Sequence, residues 1–299
     1  MNFEFGNGRG LQVLYWIIFA CWISIAKPFL LEQNGEEAAR YYKSDFIVND
    51  LLANSFWVNM ESAEKINMTG GQLKSKSVHL SFDFPFYGHH LNKVTIEADG
   101  FITTSSLQST PANGIIAPFI AHFDELDTTH SYVRYIDRGK SFAVEWTNLS
   151  LTSPSHFLPT GFYTFQATLF ENGNIYFVYG DIPNSKEPHA FTDFVHVGLF
   201  NTFKDEISKK LRIQRNDLGE MDRARIQPAA VLFLSPDCWN NKKCFACTSS
   251  MFLHCAWCPQ ASLCSDASDG LDNSWVESGC HIRNVTERQE CSLYSRAEY

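Results

Sequence analysis

Nine cysteines are distributed so unevenly that they divide the chain. Cys21 stands alone in an apolar leader, the other eight crowd between Cys238 and Cys291, and nothing in between carries a thiol. A long cysteine-free stretch can be stable only through a hydrophobic core, whereas a short stretch holding eight cysteines buries little apolar surface and needs staples or a metal. Two domains held together by different means are therefore expected, joined at SPDC near Pro236. With 44% hydrophobic and 14% aromatic residues, the chain has the material for a substantial core in the first of them.

The leader decides which redox compartment those cysteines meet. After Arg9 comes LQVLYWIIFACWISIA, an apolar run ending with Ser24 and Ala26 at a small-x-small spacing, then Lys27 and Pro28. It reads as a signal peptide, residues 1–26, cleaved after Ala26, with an uncleaved signal anchor as the alternative. Either way the rest enters the secretory pathway. Three N-x-S/T acceptor sites, at Asn67, Asn148 and Asn284, fit an extracytoplasmic life. A net charge of -9, from 33 acidic and 24 basic residues, argues against a nucleic-acid partner, which needs a basic face to neutralise phosphates. No later stretch has the length and apolarity of a membrane span.

Residues 27–75 are mixed and polar, and a loosely ordered segment is expected there. From residue 76 the period of two is plain: Val78, Leu80, Phe82, Phe84 and Phe86 alternate with polar or small neighbours, and Pro85 marks an edge strand or the end of a ladder. Val94, Ile96 and Ala98 alternate likewise before Asp99-Gly100 leads into FITTSS. SYVRYI and FAVEW flank DRGK, and YTFQATLF and IYFVYG flank ENGN, whose Asn172-Gly173 suits a type I′ turn. Val195 to Phe200 and Val231 to Leu234 read as closing strands, and the polar EISKKLRIQRNDLGEMDRARIQ between them as partly helical. The fold class is mainly β: an antiparallel sandwich or barrel-like domain over 76–236, a small disulfide-rich module over 237–292 and a tail, 293–299.

CFACTSSMFLHCAWC, residues 244–258, raises three chemistries: zinc, redox exchange or staples. Zinc ribbons place about 15–20 residues between their Cys-x-x-Cys pairs, but seven separate Cys247 from Cys255. A redox dithiol needs an exposed, activated thiol at a helix start, a context absent before Cys255. Staples in an oxidising compartment are the expectation, with Trp257 packed on them and no metal. AHFDELDTTH gathers His122, Asp124, Glu125, Asp127 and His130, able to bind calcium or a transition metal, or to form a solvated acidic loop. Neither the G-x-S-x-G elbow nor the phosphate-binding loop occurs, so no catalytic residue and no cofactor is assigned.

FDFPFYGHHLNKVTIEADGFIT, IIAPFIAHFDELDT and YTFQATLFENGNIYFVYGDIP, in that order, resemble the nidogen-type extracellular domain and, more closely, the plexin domain-containing family, also called tumour endothelial markers. CWNNKKCFAC, CAWC and WVESGC resemble the PSI module of plexins, semaphorins and integrins. That resemblance implies the pairs Cys238 with Cys255, Cys244 with Cys291, Cys247 with Cys264 and Cys258 with Cys280. It also implies a non-enzymatic receptor or adhesion ectodomain at the cell surface, or secreted. Its partner would be an extracellular matrix protein or a secreted ligand, and the PSI module a rigid spacer. Family members carry a membrane helix after the PSI module, whereas this sequence stops eight residues after Cys291, as in a secreted version or an incomplete record. Ligand-contact residues are not identified by the sequence, beyond Tyr132 and Tyr176 as exposed aromatics on hairpins. The alternative from another class is a secreted metal-dependent hydrolase centred on His122, Asp124 and His130.

Overall fold

A computed structural model describes residues 41–66, 75–87, 89–104, 113–121, 123, 130–151, 161–183, 195–204, 211–217, 225–249, 254–266 and 272–294. Fifteen strands form two large antiparallel sheets and one small one. The seven-stranded sheet runs β1 (Tyr42–Val48), β13 (Ala230–Pro236), β10 (Ile175–Tyr179), β9 (Phe162–Phe170), β8 (Ser141–Ser150), β7 (Tyr132–Asp137), β2 (Glu64–Ile66). Facing it, the six-stranded sheet runs β12 (Leu211–Asp217), β11 (His196–Lys204), β6 (Asn113–Ile120), β5 (Phe101–Thr103), β4 (His89–Glu97), β3 (Ser75–Phe86). The architecture is a β-sandwich followed by the disulfide-rich region, whose two strands are β14 (Ala256–Cys258) and β15 (Leu263–Ser265).

The inner faces meet over an aromatic core. Trp146 stacks on Phe165 at 5.3 Å between centroids, and Phe119 lies 5.2 Å from Tyr163. Three core aromatics aim a polar atom at the opposite sheet. Tyr179 Oη donates to the Pro118 carbonyl at 2.8 Å, Trp146 Nε1 to Glu97 at 2.9 Å and Tyr42 Oη to Pro85 at 3.2 Å. Each bond satisfies a group that would be costly to bury alone, and each also fixes how one sheet sits on the other.

At β10 and β13 the seven-stranded sheet is apolar on its outer face as well. Ile175, Phe177 and Tyr179 of β10 point into the sandwich, while Tyr176 and Val178 join Val231 and Phe233 of β13 in a second cluster outside it. Continuous apolar runs such as IYFVY and AVLFL are what a strand buried on both faces requires. Its cover comes from residues 41–66, ordered where a loosely ordered segment over 27–75 is expected from the sequence; residues 27–40 and 67–74 of that segment lie outside the described residues. β1 pairs with β13 at one edge of the sheet, and β2 pairs with β7 at the other. Between them the chain crosses the whole outer face as a belt. Its helix, α1 (Asp50–Phe56), is capped by Asn49, whose Oδ1 accepts from Leu52 N–H at 3.0 Å. α1 drops Ala53 and Phe56 onto Tyr176 and Phe233, with Phe56 5.3 and 5.1 Å from those two rings. Burying a phenylalanine ring is worth up to roughly 3 kcal/mol, which a seven-residue helix could not supply by propensity.

Two further expectations change. Part of the segment expected to be helical is the strand β12, paired with β11 at the edge of its sheet; charged residues are how edge strands avoid pairing with other chains. The β9–β10 turn is not type I′, because Asn172 is absent from the positive-φ residues while Gly173 has φ +86°. Gly173 N–H donates to the Phe170 carbonyl and Phe170 N–H to Asn174 O, the pattern of a type I turn closed by a glycine bulge. Pro85 lies in β3, an edge strand as expected.

Gly100, after Asp99 in the β4–β5 turn, has φ +86°, and a Cβ there would lie 2.1 Å from the Phe119 carbonyl oxygen. Gly139 has a similar φ of +81° but open space around it. Gly139→Ala is expected to cost about 1–2 kcal/mol of left-handed strain, and Gly100→Ala at least about 3 kcal/mol, since a backbone carbonyl must also move. Urea midpoints of the two variants check the difference; equal losses contradict the packing described.

Candidate functional site

A polar network anchors the far half of the belt. Gln166 of β9, fully buried, accepts from Val58 N–H through Oε1 at 2.8 Å and donates through Nε2 to Val58 O at 2.9 Å, standing in for a missing strand neighbour. The same Nε2 donates to Glu145 Oε2 at 2.7 Å, and Glu145 in turn is held by Arg134, with Nε and Nη2 at 2.8 and 2.7 Å from Oε1. Arg138 Nη2 reaches the Asn59 carbonyl at 2.7 Å. A buried carboxylate is tolerated only when its lone pairs are occupied in this way.

Where the belt leaves α1 it borders a recess of about 520 Å³ on the outer face of the sheet. Phe56, Trp57, Phe170 and Tyr176 give it aromatic walls, and buried Thr168, half-buried Asn172 and exposed Arg138 also line it. Ser249, from the cysteine-rich region, completes the lining, so both domains contribute to it. Tyr176, expected as an exposed aromatic, is buried: α1 covers the face to which its strand position points it. Burial raises its hydroxyl above the ordinary tyrosine range, against a hydrogen bond with Asn174 that lowers it. Tyr132 is half-buried, with Lys65 Nζ 4.3 Å from its ring centroid.

Four disulfides hold the cysteine-rich region: Cys238–Cys255, Cys244–Cys291, Cys247–Cys264 and Cys258–Cys280. Neither Cys-x-x-Cys closes on itself. Trp257 and Val285 lie buried among the sulfurs, and the two residues exchange backbone hydrogen bonds of 2.8 Å. The module is also fastened to the sandwich. Lys43 of β1 lies 3.6 Å from Asp237 and forms a hydrogen-bonded ion pair with Asp266, and Tyr41 packs on Trp239 at 5.6 Å. Burial alone would lower the Lys43 ammonium, but the bond to Asp266 and the charges of both carboxylates raise it. Asp237, Asp266 and Cys238 bring three potential ligand atoms within 4.8 Å of one another. The sulfur is in a disulfide and the carboxylates already share a cation, so the group does not fit a metal.

Of the other residues singled out in the sequence, His130, Asn148 and Asn284 are among the described residues. His122, Asp124, Glu125 and Asp127 fall outside the described residues, as does Asn67; His130 is exposed in a turn. Asn148 sits at a bulge in β8 with φ +52°, its Nδ2 donating to the His130 carbonyl at 3.2 Å. Asn284 is exposed, with Nδ2 bonded to the Cys280 carbonyl at 2.9 Å. Of the recess residues only Tyr176 and Asn172 stood out in the sequence, although the aromatic pair in SFWVN, unusual in so polar a segment, was a further signal.

The architecture is that of an all-β extracellular type of domain carrying a disulfide-rich appendage. A model of the family described as NIDO related matches residues 52–216, more than half of the chain. The chain belongs to that nidogen-related family, an extracellular and non-enzymatic type of domain, and with its disulfide-rich region it suggests an extracellular or secretory-pathway protein. No solved structure matches it significantly. Among the described residues, no helix is long and apolar enough to cross a membrane.

Two measurements test this geometry. Lys43→Met leaves Asp237 and Asp266 facing each other, and should cost about 2 kcal/mol, less than a fully buried pair because Lys43 is partly exposed. Faster proteolytic cutting near Pro236 is the expected readout, and unchanged cutting contradicts the fastening. Glu97 is pushed up to about 7 from 4.5, by burial first and then by the charge of Asp99. A raised folded-state value means the fold binds the proton more tightly, so this contribution is present below pH 4.5 and lost as pH rises through about 7. Thermal midpoints of Glu97→Gln and the natural protein should therefore converge near pH 4.5 and diverge in favour of the variant by pH 8; a constant gap contradicts the assignment.

Proposed function

We propose that this chain is a non-enzymatic extracellular binding protein, the ectodomain of a receptor or adhesion molecule of the plexin domain-containing type. Its partner is a matrix protein or a secreted ligand, and the mechanism is surface complementarity without covalent chemistry. The cysteine-rich region acts as a PSI module that holds the nidogen-related domain at a fixed attitude. The observation that supports this most directly is the fastening of a four-disulfide module to β1 through Lys43, Asp237 and Asp266, which suits a spacer better than a mobile or reactive appendage. All eight of its cysteines are in disulfides, so no thiol there is available for redox turnover. Asn148 and Asn284 are proposed as glycosylated, with Asn67; one N–H of Asn148 remains for His130 after glycan attachment.

The test uses the full chain secreted from eukaryotic cells. Alkylation of the native protein should label none of the cysteines from Cys238 to Cys291, and the immobilised protein should capture solubilised basement-membrane or secreted proteins saturably. Labelling at Cys255 and Cys258, or no saturable capture from either source, overturns the proposal.

A further inference from the structure

The recess has a feature that the fold does not use. Thr168 Oγ1 is buried, with the residue 2% exposed, and has no hydrogen-bond partner among the described residues. Its neighbours across the ladders are Ala143 and Tyr176, so its side chain shares the outer face of the sheet with the recess. An unpaired buried hydroxyl costs about 1–3 kcal/mol, and a valine would fill the same space without that cost. The other groups around it narrow what could supply a partner. Arg138 brings a guanidinium with one of its donors on Asn59 O, and among the described residues no carboxylate lines the recess although the chain as a whole carries -9. The half-buried rings of Trp57 and Phe170 offer flat apolar surface. The Asn172 side chain spends its Oδ1 on Asn174 N–H, leaving its amide protons as donors.

Resting on the reading of this chain as an extracellular binding protein, we propose that the recess binds an acidic saccharide, a pyranose bearing one carboxylate, such as the uronate of a matrix polysaccharide. A sugar ring presents an apolar C–H face and a rim of hydroxyls, matching aromatic walls with interspersed amides and hydroxyls. A single guanidinium suits one carboxylate, with which it can form two parallel hydrogen bonds; a phosphate or sulfate cluster would call for more cations. A purely apolar ligand would leave Thr168 unpaired. A volume near 520 Å³ lies within the roughly 300–1,000 Å³ usual for small-ligand sites.

The experiment titrates the full chain with a hyaluronan tetrasaccharide and with its carboxyl-reduced counterpart, read by calorimetry or saturation-transfer NMR. The natural tetrasaccharide should bind, and the reduced one about tenfold more weakly. Arg138→Gln should abolish that preference. Thr168→Val should weaken binding about five- to tenfold while holding or raising the thermal midpoint, a combination that a purely structural threonine would not give. No binding of the tetrasaccharide to the natural protein, equal binding of its reduced form, or unchanged affinity in Thr168→Val each overturns the inference. Capture of matrix proteins is measured on the same preparation. If capture persists while the saccharide fails, this inference alone falls; if both fail, the binding-protein reading falls with it.

Discussion

Two neighbouring strands that are apolar on both faces, β10 and β13, must be covered twice, and that constraint organises this molecule. The six-stranded sheet covers one face of β8, β9, β10 and β13, and the belt of residues 41–66 covers the other. The belt solves two problems at once. It shields Tyr176, Val178, Val231 and Phe233 from water, and its ends, β1 and β2, occupy the two edges of the sheet. A short helix resting on aromatic rings and an extended strap read by Gln166 are enough, because each is ordered by the sheet beneath it.

The candidate site follows from the same arrangement. The belt narrows from helix to strap between Phe56 and Asn59, and the recess opens where the cover changes form. Strap and recess share residues: Arg138 holds Asn59, and Val58 lines the recess while being gripped by Gln166. The cysteine-rich region closes the remaining side with Ser249, at an attitude set by Lys43. The shape of the recess and the placing of the cysteine-rich region thus depend on a small number of side chains.

Legibility in the sequence tracked where the determining interactions are made. The hairpins were readable because period-two alternation and turn glycines such as Gly100 and Gly139 are local properties. The belt was not, since Tyr42–Val48 alternates weakly and α1 has seven residues; their order comes from a surface assembled far away in the chain. The type I′ expectation at Asn172 failed for a smaller reason: Asn-Gly suits both turn types, and Phe170 N–H pairing with Asn174 selects the bulged one. Cysteine spacing admits 105 pairings of eight residues, and the burial of Trp257 and Val285 among the sulfurs belongs to the folded path, not to the spacing. Thr168 was invisible as a candidate because a threonine in a strand is ordinary until its neighbours are known.

The pairing of β1 with β13, Tyr42 opposite Pro236 and Val48 opposite Ala230, has a consequence for biogenesis. Contacts so distant in sequence form slowly, because the loop that separates them must first be closed. On a ribosome, β1 emerges early, yet the strand it needs is among the last of the sandwich to be made. Throughout that interval the belt lacks the part of its surface that β13 supplies, Val231 and Phe233. The pairing of β13 with β1 closes that edge of the sheet and sets Lys43 beside Asp237, the residue that follows β13 in the chain.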